Sequence, residues 1–501
     1  MTSPDATITA GISGMQPRRP NVLFLMMDEH RPDVTGYEGN AVVRTPTLDW
    51  LARTGVVFRN AYTPSPICIP GRQSIMAGQL PMTTGCLQYG QDLEPGYRTF
   101  SRLFSRYAYA TVACGKLHHM GTDQMQGWTT RIAGDTTVGQ RYIPDTVDDE
   151  FARYVRPGSA PLSAAKWSDA KEIQRAGVGR GPTVVKDEYT ARGACDFIQE
   201  YFASPAYDRD RRDTPLMLKV SLVQPHYPYT TDEARFTHYL NRVPLFLDQP
   251  VSPHPILSRR AVRPGVDVSE REVRRAVAAY YGMIETADAH FRAVLDALDA
   301  VGENLDDWIV VYTADHGEML GEHGVWEKQK FYEASVRVPL IIRWPAGLTH
   351  AVGPTEPSPG PHVPRDPHVV QENVNTCDLF ATLCELAGIP VPAALDSRSL
   401  VPFLSGHTGA ADNWRQRYRN ETVSHFGRTH LLIKWDALKY QYYGEELPEV
   451  LFDLERDPTE VQDYITDPTY AEILSAFRRR RAALGYGPDA DPGYINAGYG
   501  N

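Results

Sequence analysis

Asn21 opens an apolar run that continues to Met27 and closes on Asp28-Glu29-His30. A run without alternation predicts a strand buried on both faces, as in a parallel sheet. The same form recurs at Tyr107 to Ala113, before Cys114-Gly115-Lys116-Leu117-His118-His119. It recurs at Leu216 to Val223, before Gln224-Pro225-His226-Tyr227-Pro228, and at Trp308 to Thr313, before Ala314-Asp315-His316-Gly317. Val338 to Arg343 is a further strand. Helical patterns lie between these runs. Thr45-Pro46 predicts a helix start, with Thr45 as N-cap and Pro46 in the first turn. Gln73 to Ala77 suits a helix start after a Pro-rich loop that carries Cys68. Tyr189 to Phe202 reads as a helix. Ser269 and Glu272 form a capping-box pattern ahead of a long amphipathic stretch to about Ala300. Asn375 to Ala387 reads as a capped helix stopped by Gly388.

Strands alternating with helices predict an α/β fold, a mostly parallel sheet sandwiched by helices. Ligands bind such sheets at the carboxyl ends of the strands. Asp28, Lys116 with His118, His226, and Asp315 with His316 are therefore expected along one edge, under the Cys68 loop. From 131 to 181 the pattern weakens, and an insertion spanning 129–187 is expected beside the site. Residues 353–367 are Pro-rich and read as a loop. After Pro392 the runs shorten: Leu431 to Trp435, Lys439 to Tyr443 and Val450 to Leu454, then a helix from Tyr470 to Leu484. They predict a smaller C-terminal antiparallel-sheet subdomain. The expected organisation is a flexible stretch 1–19, a catalytic α/β domain 20–392, a subdomain 393–484 and a tail 485–501.

The 501 residues carry a net charge of −11. That argues against nucleic acid as a partner, which needs a basic footprint. An anionic substrate needs a locally basic pocket instead. Six scattered cysteines show neither metal spacing nor a disulfide framework, so they read as reduced. The first twenty residues lack the basic-then-apolar order of a signal peptide. The first apolar run is too short to span a bilayer. A cytoplasmic location without membrane attachment is expected.

The chemistry gathers on Thr63-Pro64-Ser65-Pro66-Ile67-Cys68-Ile69-Pro70-Gly71-Arg72. An isolated cysteine is usually an inert buried thiol. Cys68-Ile69-Pro70-Gly71-Arg72 instead matches Cys-x-Pro-x-Arg, and the chain resembles the sulfatases of the alkaline-phosphatase-like superfamily from about residue 20 to 465. Gly115 to Trp128 and Gly321 to Trp326 look most like choline sulfatases. Leu451 to Pro458 resembles the family's closing segment. The resemblance implies that Cys68 is oxidised by a formylglycine-generating enzyme to formylglycine, whose hydrate attacks the sulfur of a sulfate ester. One diol oxygen expels the alcohol and the second eliminates sulfate.

The resemblance also implies the roles of the remaining residues. Arg72 stabilises the nucleophile and the metal carboxylates. Asp28, Glu29, Cys68, Asp315 and His316 are the metal candidates. Glu29 departs from the usual aspartate or glutamine and His316 from the usual asparagine. The ion is one divalent cation, calcium with manganese as the alternative. Lys116 and Lys328 bind sulfate oxygens, with Lys330 competing for the Lys328 role. His118 and His226 serve the two proton transfers. His30 and Arg31 are supporting groups, and His119 and His323 carry no assigned role. The expected substrate is a small sulfated sugar, aryl or choline-like ester. A phosphonate monoester or phosphodiester hydrolase is the nearest alternative. A non-catalytic anion-binding protein with Cys68 as a thiol is the other. The chain is also expected to form a homo-oligomer, with its Tyr-rich tail (Tyr486, Tyr494, Tyr499) packed on a neighbouring subunit.

Overall fold

The computed structural model describes residues 19–134, 169–204, 214–345, 349–351, 359–362, 366–404 and 409–490. Its main sheet has nine strands. Eight of them are β1 (Asn21–Asp28), β2 (Val56–Tyr62), β3 (Ala110–Gly115), β4 (Thr130–Ile132), β5 (Leu216–Pro225), β6 (Trp308–Ala314), β7 (Leu340–Arg343) and β8 (Val369–Asn375). They lie in the order β8-β2-β7-β6-β1-β5-β3-β4, and the short strand Arg337–Val338 pairs with β2. β1 is hydrogen-bonded in parallel to both β5 and β6, and β3 in parallel to β5. The four runs with polar carboxyl ends are thus neighbours pointing the same way. β7 runs antiparallel to β6 and β2. The sheet is mostly, and not wholly, parallel.

Both faces are covered. Phe24 and Met26 pack with Ile75, Phe100 and Phe380. These belong to α2 (Cys68–Ala77), α3 (Phe100–Arg106) and α6 (Leu379–Leu386). Leu23, Leu25 and Met27 point the other way, onto Leu48, Ile198 and Phe291. Those come from α1 (Pro46–Thr54), α4 (Pro182–Ala203) and α5 (Glu270–Ala300). Successive side chains of a strand face opposite sides, so a strand buried on both must be apolar throughout. Ser269 caps α5 with the full capping box. Thr45 precedes Pro46 but does not cap α1. Its hydroxyl accepts from Gly36 N at 2.8 Å and donates to Asp49.

Some expectations on the chain are corrected. The 68–72 segment is the first turn of α2, not a loop. Pro70 sits where its missing N–H has no intrahelical partner to lose. The Pro-rich 353–367 stretch contains the strand Pro359–His362, paired with Thr349–Ala351. The C-terminal sheet has four antiparallel strands, not three: β9 (Glu421–Phe426), β10 (His430–Trp435), β11 (Leu438–Tyr442) and β12 (Val450–Asp453). The last helix, α7 (Ala471–Ala483), lays Phe477 on Trp435 with ring centroids 4.0 Å apart. Tyr486 is buried within its own chain, its hydroxyl 2.7 Å from His425 Nδ1. Tyr486 therefore does not reach a neighbouring subunit. Tyr494, Tyr499, the stretch 1–18 and most of the 129–187 insertion lie outside the described residues.

The subdomain also braces the Cys68 segment. His425 N donates to Pro64 O at 2.9 Å, and from within the catalytic domain Gln329 N donates to Pro66 O at 3.0 Å. Lys439 is buried between Glu333 and Glu460. No helix among the described residues is long and apolar enough to cross a membrane.

Candidate active site

A cavity of about 1040 Å³ opens over the carboxyl ends of β1, β3, β5 and β6. Cys68, Lys116, His118, His226 and Lys328 all line it. Arg72 lies beneath and is fully buried. Its guanidinium donates to Asp315 Oδ2 at 2.7 Å, Asp28 Oδ2 at 2.9 Å, Lys116 O at 2.8 Å and Ser221 Oγ at 2.9 Å. One planar fork thereby ties four strand ends together. Lys116 Nζ is 2.6 Å from the same Asp28 Oδ2. Burial alone would raise the Asp28 carboxyl. The facing charges of Lys116 and Arg72 outweigh it and hold Asp28 well below the ordinary carboxylate range.

Two glycines explain the motif spacings. Gly115 has φ +88°, and a Cβ there would sit 2.2 Å from Ser221 O. A Cβ on Gly317 would sit 2.0 Å from Ala334 O. Glycine is therefore required beside Lys116 and beside His316.

Asp28, Cys68, Asp315 and His316 each offer one donor atom, and all four lie within 4.8 Å of one another. His316 Nδ1 is 3.0 Å from Gly317 O, so it carries the proton and leaves Nε2 bare. That bare nitrogen is 3.1 Å from Cys68 Sγ. Asp28 Oδ1, the oxygen not taken by Arg72 and Lys116, faces the same sulfur at 3.8 Å. Two carboxylates and an imidazole lone pair turned to one point fit a divalent cation. The thiol stands where an oxygen of an oxidised Cys68 would be. Burial, then Asp28, pushes the thiol itself up to about 11.

Glu29 goes elsewhere. Its Oε2 accepts from Lys328 Nζ at 3.0 Å and lies 3.6 Å from His226 Nε2. Four of the five expected metal candidates thus gather at Cys68, and Glu29 falls in a second possible ligand group with Asp28 and His226. A positive φ of 66° turns Glu29 toward the lysine. Lys328 Nζ also lies 2.8 Å from His226 Nε2. Burial would lower Lys328, and Glu29 outweighs it to hold the ammonium charged. Burial and then the neighbouring lysines keep His118 and His226 well below the ordinary histidine range. Lys330 does not line the cavity, and burial lowers it to about 8 beside Arg260. His30 is held by Tyr312 and Val34 O, and Arg31 by Asp33 and Glu322. His119 contacts Gln73, and His323 stacks on Tyr332.

The sulfatase family model matches residues 20–389, most of the chain. The chain belongs to the sulfatase family. A second model, the C-terminal part of N-sulphoglucosamine sulphohydrolase, matches residues 358–484. This sulfatase is 29% identical to a choline-sulfatase of Rhizobium meliloti over 93% of its own length and 86% of the relative's. It is 26% identical to an arylsulfatase of Clostridium perfringens, covering 92% and 93%. A phosphonate monoester hydrolase of Agrobacterium radiobacter shares the fold, with a TM-score of 0.69 at 22% identity over 93% and 95% of the chains. The sulfatase is a sulfuric ester hydrolase of α/β, alkaline-phosphatase-like architecture.

Several residues of the sulfatase site gave no signal in the sequence. Ser221 lies inside an apolar strand, yet its hydroxyl holds Arg72. Asp187 accepts from Val223 N and Gln224 N at 2.7 Å each and so fixes the end of β5 just before His226. It is the last residue of the expected 129–187 insertion, where no motif singles it out. Tyr89 and Tyr227 line the cavity, with Tyr227 4.1 Å from the His226 ring.

Proposed function

We propose that the enzyme hydrolyses a small sulfate monoester to an alcohol and inorganic sulfate, with Cys68 matured to formylglycine and one divalent cation in the site. The cation would be held by Asp28, Asp315, His316 and the oxidised side chain of residue 68. When present, the two groups supply Lewis acidity and a hydrated-aldehyde nucleophile at neutral pH. The observation that carries the reading is the setting of Cys68. Its sulfur lies 3.1 Å from a bare imidazole nitrogen and lines one cavity with two lysines and two neutral histidines.

The chain's own groups divide the work. Arg72 keeps Asp28 and Asp315 in place. Lys116 and Lys328 present two ammonium groups to the cavity, where they bind the oxygens of an anionic ester. His226 Nδ1 is 2.7 Å from Tyr227 O, so this nitrogen donates and Nε2 faces Lys328 as an acceptor. His226 Nε2 therefore orients the Lys328 ammonium, and Lys328 Nζ gives a proton to the departing alkoxide oxygen. His118, neutral, takes a proton at the other transfer. The cavity of about 1040 Å³ stands at the top of the usual range for small-molecule sites. It has room for a sugar- or aryl-sized alcohol.

Two measurements test this. Mass spectrometry of the Cys68 peptide, from a host with the maturation enzyme, should show a species about 18 Da lighter than cysteine. Rates on aryl, sugar and choline sulfates, run beside a phenyl phosphonate monoester, should favour sulfate. A preference for the phosphonate by orders of magnitude, or a wholly unmodified Cys68 in active enzyme, would overturn the reading.

A further inference from the structure

A second cleft, of about 570 Å³, lies between the catalytic domain and the C-terminal subdomain. It shares no lining residue with the catalytic cavity. Leu80, just past α2, lines it, whereas Cys68 opens α2. A helix of that length spans about 15 Å, so the two cavities sit at its opposite ends.

Five arginines line the cleft against three carboxylates. Arg398 is paired with Asp378 at 3.2 Å and Arg480 with Glu421 at 2.7 Å. Asp396, the third carboxylate, accepts from Leu80 N at 2.8 Å and Thr83 Oγ1 at 2.7 Å. Arg417, Arg419 and Arg479 have no carboxylate partner among the described residues. Two of them rest on rings. Arg419 lies 3.6 Å from the Trp435 ring centre and Arg417 5.2 Å from that of Tyr418. Stacking uses the face of a guanidinium and leaves its N–H edge free for an oxyanion. Arg419 and Asn420 both hold positive φ, 55° and 48°, in the turn that sets Arg419 on Trp435. Non-glycine residues adopt that conformation at a cost of about 1 kcal/mol or more. On a chain of net charge −11, three unpaired cations converge on one concave surface. All three are exposed to solvent, so an oxyanion entering the cleft reaches them directly.

We propose that this cleft is a second sulfate-binding site, built by Arg417, Arg419 and Arg479. The choice of sulfate among oxyanions rests on the proposed function. The group can come from inorganic sulfate released at the catalytic cavity or from a sulfated saccharide chain, and a cleft of this volume admits either.

The test is calorimetric titration of the full chain carrying Cys68→Ala, which blocks turnover. Sodium sulfate and a sulfated oligosaccharide are titrated separately, with chloride keeping the ionic strength constant. For at least one of the two ligands, two binding events per chain are expected. Arg417→Gln/Arg419→Gln/Arg479→Gln in the same background should remove one event or weaken it at least tenfold. With Cys68 intact, the triple variant should keep wild-type kcat/KM on a small aryl sulfate. Loss of the sulfate event identifies free sulfate as the ligand, and loss confined to the oligosaccharide identifies the chain-borne group. Should the triple variant misfold, Arg417→Gln/Arg479→Gln leaves the Arg419–Trp435 stack intact and should still weaken that event. A single event with both ligands in the Cys68→Ala chain, or two events unchanged by the arginine substitutions, overturns the proposal. Loss of the second event in an enzyme that hydrolyses no sulfate ester would leave the cleft standing and sink the functional reading instead.

Discussion

Replacing Arg72 probes the joint on which the site is built. Arg72→Met removes four hydrogen bonds at once. Asp28 keeps a partner, because Lys116 Nζ remains 2.6 Å from its Oδ2. Asp315 fares worse. Its Oδ1 still accepts from Glu29 N at 3.1 Å and His316 N at 3.0 Å, but its Oδ2 loses the guanidinium. Breaking a fully buried ion pair from one side costs about 3–5 kcal/mol, because the other charge is stranded. The bonds to Lys116 O and Ser221 Oγ add about 1 kcal/mol each before relaxation. Neighbouring losses are not additive, so about 3–5 kcal/mol is the expected total. Arg72→Lys keeps the charge but cannot hold both carboxylates with one ammonium, and about 1–3 kcal/mol is expected. Urea unfolding followed by tryptophan fluorescence measures both, with a chelator present so that no cation masks the loss. Arg72→Met within about 1 kcal/mol of wild type would refute the reasoning. So would Arg72→Lys proving as damaging as Arg72→Met, since charge retention would then count for nothing.

Two further outcomes are expected. Cys68→Ala should abolish turnover while costing only about 1 kcal/mol of stability, since it removes one small buried atom; a tenth of the wild-type rate would disprove the covalent role. His425 should make the fold acid-sensitive: burial, then Arg480, lowers it from 6.5 to about 3. Its folded value lies below its unfolded one, so its contribution is intact above pH 6.5 and is lost as pH falls toward 3, at about 1.4 kcal/mol per pH unit. His425→Gln should flatten the stability–pH slope between pH 6 and 4.5 by about that amount, and parallel slopes for the two proteins would reject this.

What could be read in the chain, and what could not, follows from where the information sits. Parallel strands buried on both faces are continuous apolar runs, so β1, β5 and β6 were legible, and their polar ends carried the candidate chemistry with them. β2 and β8 were not, because Arg59-Asn60 and Gln371-Glu372 interrupt their apolar character. β7 was visible as a strand, but an apolar run carries no direction, so its antiparallel pairing was not. Pro70 and Gly71 made the Cys68 segment look like loop. The first turn of a helix tolerates both, and only the backbone reveals that Cys68 begins α2. Glu29 shows a different limit. Beside Asp28 in sequence, it reads as a second metal carboxylate. Its destination depends on Lys328, which is brought to it from beyond β6 by the fold alone. The arginine cleft is the extreme of the same limit. Arg417 and Arg419 flank the end of one helix, while Arg479 comes from α7. Each alone reads as a solvated surface charge. Only the folding of the subdomain itself sets them around one cavity without carboxylate partners among the described residues.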